Sequence, residues 1–185
     1  MEKSDEDLVR ETLSGSLGAF DDLMVRYQRL VYKIALGYGR SREQALDITQ
    51  NVFLRVYQKL GSLREDGRFK SWILTITFRE SVNWFRQYGR HQDYEPVEED
   101  ALLFSETPSQ EERVLRQERA EFLLKSLSCL NPKHRFIVIL RYYEGMSIKS
   151  ISEAAGCSEM VVKNILYRSL ERLKLKLVQT GGVCQ

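Results

Sequence analysis

The run Ser147-Ile148-Lys149-Ser150-Ile151-Ser152-Glu153-Ala154-Ala155-Gly156-Cys157-Ser158-Glu159-Met160-Val161-Val162-Lys163-Asn164-Ile165-Leu166-Tyr167-Arg168 holds two helix starts and one sharp stop. Ser147 and Ser158 each stand where a hydroxyl can accept the free N–H groups of a first turn. Gly156-Cys157 supplies the turn between them, and Glu159 suits the positive end of the second helix. A short helix, a glycine turn and a longer helix are helix-turn-helix grammar. Upstream, Asn131-Pro132 is a cap followed by proline at the first helical position. The helix it opens runs through His134, Phe136, Ile137 and Leu140 to Gly145. Downstream, Val162, Ile165, Leu166, Ser169, Leu173 and Leu177 share one face of the last helix, while Met160, Lys163, Asn164, Tyr167, Glu171 and Lys174 share the other, with Arg168 at the margin. Such an outer face fits a major groove, with Lys163 and Asn164 reaching bases and Arg168 and Lys174 reaching phosphates. An ordinary amphipathic surface helix carries the same pattern, so the motif alone leaves both readings open.

The first half of the chain is also helical, with helices expected near 5–14, 17–39, 42–60 and 69–88 and no strand alternation. Only 3 prolines and 11 glycines interrupt 185 residues. In 41–60, Ala45, Ile48, Thr49, Val52, Phe53, Val56 and Leu60 form a core face. Asp47, Gln50, Asn51, Leu54 and Gln58 lie opposite. A neutral-to-acidic face with a central leucine suits protein docking, and equally a solvated face with one stray leucine. In 69–88, Leu74, Phe78, Ser81, Val82 and Phe85 are expected to be core, and Arg79, Asn83 and Arg86 form a polar stripe. Both tryptophans, Trp72 and Trp84, sit outside that core stripe, and Arg64 and Arg68 precede the helix. Aromatics beside cations suit single-stranded nucleic acid, where bases stack on rings; a helix buried on two sides would use the same tryptophans as core.

The net charge of +2 is unevenly spread. Residues 1–92 carry 15 Lys/Arg against 12 Asp/Glu, residues 93–112 none against 8, and residues 113–185 13 against 6. The acidic stretch holds two of the three prolines and no helical period, so it reads as an extended linker, with Leu102-Leu103-Phe104 as an apolar island. A basic C-terminal part suggests a phosphate-bearing partner. No apolar run approaches the roughly 18 residues that span a bilayer. The acidic start lacks a signal-peptide layout, and three scattered cysteines (Cys129, Cys157, Cys184) make no disulfide framework, which points to a reducing, cytoplasmic setting. There is no phosphate-binding glycine loop, nucleophile elbow or zinc signature, so the expectation is no enzyme, no metal, no cofactor and no small-molecule substrate.

Three segments, in order, resemble the bacterial extracytoplasmic-function sigma factors over about residues 17–178. Ala45-Leu46-Asp47-Ile48-Thr49-Gln50-Asn51-Val52-Phe53-Leu54-Arg55 is similar to the family's core-binding helix, Phe69-Lys70-Ser71-Trp72-Ile73-Leu74-Thr75-Ile76 to its promoter-opening helix, and Leu130 through Leu173 to its C-terminal helix-turn-helix. The resemblance implies an all-α fold of two small helical domains: a region 2 domain at 1–92, an acidic linker at 93–112 and a region 4 helix-turn-helix domain at 113–185. It implies a factor that binds core RNA polymerase and starts transcription by recognising and melting promoter DNA. Asp47, Gln50, Asn51 and Leu54 would dock on the polymerase clamp. Arg64, Arg68, Phe69, Lys70, Trp72, Arg79, Asn83, Trp84 and Arg86 would hold the melted non-template strand of the minus-ten element. Ser158, Met160, Lys163, Asn164, Tyr167 and Arg168 would read the duplex minus-thirty-five element. The linker would run through the channel used by nascent RNA, and an anti-sigma protein, in many members membrane-attached, is an implied partner. The chain departs from the family with Asn51 in place of a usual Glu, and with Arg79 and Asn83 where Asn and Asp are frequent. Two rival classes are a decoy that sequesters an anti-sigma protein and a stand-alone helix-turn-helix regulator.

Overall fold

The computed structural model describes residues 3–39, 41–64, 68–88, 127 and 129–180, with side chains as far as 176. The linker, the loop residues 65–67 and the tail bearing Cys184 lie outside the described residues, as do the expected domain boundaries. Among the described residues there are seven α-helices and no strand. They are α1 (Asp5–Leu13), α2 (Leu17–Leu36), α3 (Arg42–Lys59), α4 (Phe69–Tyr88), α5 (Pro132–Val138), α6 (Ile148–Ala155) and α7 (Glu159–Thr180). A 3₁₀ turn, Leu60–Ser62, ends α3, and a π turn, Ile139–Tyr143, widens the end of α5.

Local chemistry sets the helix starts. Ser4, Ser16 and Ser41 accept the backbone N–H of Asp7, Ala19 and Gln44, and Asn131 and Ser147 accept those of His134 and Ser150. Each cap satisfies a donor the helix itself cannot pair, which stabilises by about 1 kcal/mol. Gly156 closes α6 in the left-handed conformation at φ 59°, a geometry that costs glycine little and a side chain more.

Helices α1 to α4 wrap a core that includes Leu8, Leu23, Val31, Ile34, Ile48, Val52, Val56, Ile73 and Leu74. The core stripe expected on α4 is too narrow. Ile73, Ile76 and Thr77 are buried as well, and Phe78, Val82 and Phe85 are only partly buried. The reason is that α4 is covered on two sides, by α2 and α3 and by α6 of the helix-turn-helix. Phe69 needs correction outright. It is fully buried, edge-on to Tyr27 at 5.2 Å, and so is removed from the set of strand-contacting residues.

The two halves share one continuous core. Arg135 of α5 is the clasp. Its buried guanidinium donates to the carbonyls of Leu127 (3.1 Å) and Leu130 (3.3 Å) beside its own helix, and to the carbonyl of Gly37 at the end of α2. The same group lies 5.4 Å over the Tyr38 ring and 5.3 Å over the Phe85 ring. Tyr38, buried with its phenol pKa pushed up by desolvation, donates to the Pro132 carbonyl at 2.6 Å. Lys33 pairs with Glu144 at 3.3 Å, Thr75 donates to the Ala154 carbonyl at 3.2 Å, and Phe78 packs on Phe136 with centroids 4.7 Å apart. Gly37 lets the halves approach closely here: a Cβ would stand 2.6 Å from Ile139 Cδ1 and 3.2 Å from the Ile34 carbonyl oxygen, so a side chain would require the end of Ile139 to move.

Candidate protein and nucleic-acid interfaces

Helix α3 turns its apolar stripe inward and leaves Asp47, Gln50, Asn51 and Leu54 exposed together. Leu54 is 56% exposed, high for a leucine in the middle of an 18-residue helix. Leu46 and Tyr57, which the sequence reading passed over, are also exposed and flank one edge of this face. Asp47 and Leu54 are two turns apart, about 10 Å, so the four side chains form one compact patch with an apolar centre and polar surround.

On α4 the structure brings Arg79, Asn83 and Arg86 onto one exposed stripe, with Lys70 exposed near the start and Arg64 and Arg68 exposed on the approach. The aromatic part of the expected set divides. Trp72 is half-buried beside Phe69, at 6.0 Å. Trp84 is half-buried with Tyr88 packed on it at 4.6 Å, and its buried Nε1 finds no acceptor among the described residues. A cleft of about 340 Å³ runs between α3 and α4 there, joining Asn51 and Leu54 to Asn83, Trp84 and Tyr88. Gln58, which the helical period places on the same outer face as Asp47 and Leu54, also lines it, as do Glu80 and Gln87, which the sequence did not single out.

On α7, Met160, Lys163, Asn164, Tyr167 and Arg168 are all exposed, and Ser158 is exposed at the start, accepting the Val161 N–H at 3.4 Å. Val162, Ile165, Leu166 and Ser169 are buried on the opposite face, as the period predicts, and Leu173 is half-buried. The helix is held in place partly by Ser169, whose hydroxyl bonds His134 Nδ1 at 3.2 Å. Burial lowers the His134 pKa from its ordinary 6.5, and Arg168 and Arg172 lower it further. A histidine harder to protonate when folded gives the unfolded chain the proton-binding advantage. Stability therefore falls as pH drops through about 6.5 and levels off below the folded pKa. Thermal melting at pH 7.5 and pH 5.0 should show this loss shrinking in His134→Gln; an equal loss in both proteins rules out His134 as a contributor.

No group of three or more metal-ligating side chains occurs among the described residues, and no helix there is long and apolar enough to cross a membrane.

A helix-turn-helix with an exposed basic outer face, packed on a four-helix unit, places the chain in the class of candidate duplex-DNA-binding proteins. Family comparison narrows that class. The Sigma-70 region 2 family matches residues 23–91 and the Sigma-70 region 4 family matches 126–175, together well over half of the chain. The chain belongs to the sigma-70 family of RNA polymerase sigma factors, as an extracytoplasmic-function member. It is similar to the RNA polymerase sigma-H factor of Pseudomonas aeruginosa, at 26% identity over 93% of both chains. It is also similar to the ECF RNA polymerase sigma-E factor of Escherichia coli K12, at 26% over 94% of both, and to sigma factor YlaC of Bacillus subtilis, at 27% over 85% of this chain and 90% of that one. In fold it matches CnrH, solved in complex with the cytosolic domain of CnrY, with TM-score 0.72 and 20% identity over 96% of this chain and 99% of that one. It also matches RpoE of Bartonella quintana, solved with the anti-sigma factor NepR, with TM-score 0.65 and 20% identity over 86% and 96%. The chain is a transcription initiation factor that binds core RNA polymerase and promoter DNA.

Proposed function

We propose that three surfaces divide this work. The face of Asp47, Gln50, Asn51 and Leu54 docks on the core polymerase. Arg64, Arg68, Lys70, Trp72, Arg79, Asn83 and Arg86 hold the melted minus-ten strand. Ser158, Met160, Lys163, Asn164, Tyr167 and Arg168 read the minus-thirty-five duplex. The observation that carries the docking assignment is the simultaneous exposure of the four α3 residues on a helix whose other face buries Ala45, Ile48, Val52, Phe53 and Val56. Cations on the two DNA surfaces suit phosphate, whereas the α3 face offers two amides and the Asp47 carboxylate around a leucine.

Docking is tested by Asp47→Ala/Gln50→Ala. Both positions are exposed, so the fold should be kept while affinity for core polymerase drops about 10-fold or more. Core affinity equal to wild type, measured by competition for purified polymerase, would sink the docking assignment.

The closed arrangement of the halves bears on DNA binding. Two promoter elements about two helical turns apart are separated by roughly 70 Å, more than two halves in direct contact can span. Twenty linker residues reach about 65–70 Å when extended, so separation on the promoter is within the chain's reach. An anti-sigma protein covering the α3 face is a partner we propose for this chain, acting in the cytoplasm; CnrH and RpoE were each solved with a partner of their own.

A further inference from the structure

We propose that the cleft between α3 and the end of α4 is part of the polymerase-docking surface, and that Trp84 belongs to it and not to the strand-contacting set. The occupant is an apolar side chain projecting from the polymerase surface that docks on α3. This rests on the assignment of the α3 face to core polymerase and extends it across to α4.

Three observations converge. First, the cleft is continuous with the docking face, because Asn51 and Leu54 form one of its walls and Trp84 and Tyr88 the other. A surface that covers Asn51 and Leu54 therefore also meets the mouth of the cleft. Second, its chemistry does not suit a phosphate-bearing strand. Among the described residues the cation in the lining is Arg55, which pairs with Glu80 at 3.7 Å and donates to Gln58 Oε1 at 3.4 Å, so it is already turned toward partners within the cleft. Single-stranded nucleic acid needs an aromatic face together with cations that follow the backbone. Here Tyr88 packs on the indole at a tilt, with centroids 4.6 Å apart, and the indole is partly buried against the core. Third, the size and rim fit a side chain. A volume of about 340 Å³ takes one or two large apolar side chains, and the polar rim of Asn51, Asn83 and Gln87 around an aromatic floor is the arrangement in which interface anchors carry most of the affinity.

The cleft can be emptied or filled. Trp84→Ala removes its floor. Gln87→Trp, at an exposed rim position, fills it without touching the core. Each should weaken binding of the full-length protein to core polymerase about 10-fold or more, with Asp47→Ala/Gln50→Ala measured alongside. Loss of affinity in Gln87→Trp with an unchanged melting temperature supports the proposal even if Trp84→Ala misfolds. If the α3 double variant weakens binding while both cleft variants bind like wild type, the cleft proposal falls and the α3 assignment stands. If none of the variants weakens binding, both fall. Wild-type core affinity combined with reduced binding of a single-stranded minus-ten oligonucleotide by the assembled holoenzyme returns Trp84 to the strand-contacting set. Tighter core binding by Gln87→Trp also overturns the proposal, because a filled cleft would then not obstruct docking.

Discussion

Arg135→Ala is expected to lower the stability of the protein by about 3 kcal/mol or more, because three buried carbonyls lose their donor at once and each orphaned group costs about 1–3 kcal/mol. For a chain of this size that is a drop of roughly 6–12 °C in melting temperature. Two of those carbonyls, of Leu127 and Leu130, belong to the approach to α5, and the third, of Gly37, belongs to the other half. The variant should therefore do more than loosen α5. The rings of Tyr38 and Phe85 lose the cation they share, and the halves should separate more readily, which a larger radius of gyration in solution scattering would register. Arg135→Lys should recover only part of the loss. An ammonium is a compact point donor and cannot reproduce a planar fork that reaches carbonyls on two sides. A melting temperature within about 2 °C of wild type, with unchanged scattering, would show that Arg135 is not the clasp.

Phe69→Ala is expected to cost about 3–5 kcal/mol, the usual penalty for emptying an aromatic site in a packed core. Phe69 begins α4, where its ring meets Tyr27 edge-on and Trp72 at a tilt, so its loss unseats the start of the helix from α2. Urea unfolding should show the loss in the protein alone, without polymerase or DNA. Trp72→Ala, three residues on and half-exposed, should cost less stability and act on promoter opening. A Phe69→Ala protein with wild-type stability and impaired promoter opening would put Phe69 back among the strand-contacting residues.

Phe69 and Trp84 also mark where reading the sequence stops. Their composition and setting, aromatic residues beside Arg and Lys on one helix, are as good for stacking bases as for filling a core. A helical wheel separates the two only if the helix is buried on one side. Helix α4 is buried on two, because α6 packs against the side away from α2 and α3, and nothing in the local pattern announces that partner. Arg135 is a sharper case. A charged residue on an amphipathic helix reads as solvent-facing; it is buried here because carbonyls and rings from both halves happen to converge on it.

What the sequence determined by itself was whatever depends on neighbours in the chain. The serine and asparagine caps, the left-handed glycine after Ala155, the inward and outward faces of α3 and α7, and the order of the three family-like segments all follow from short-range chemistry and helical period. What only the tertiary structure decided was which surfaces remain once the helices meet: the second buried side of α4, the burial of Phe69, the clasp of Arg135 and the cleft between α3 and α4. Each of these is made by residues far apart in the chain, and their meeting is set by how helix faces pack together, a quantity that no stretch of sequence contains alone.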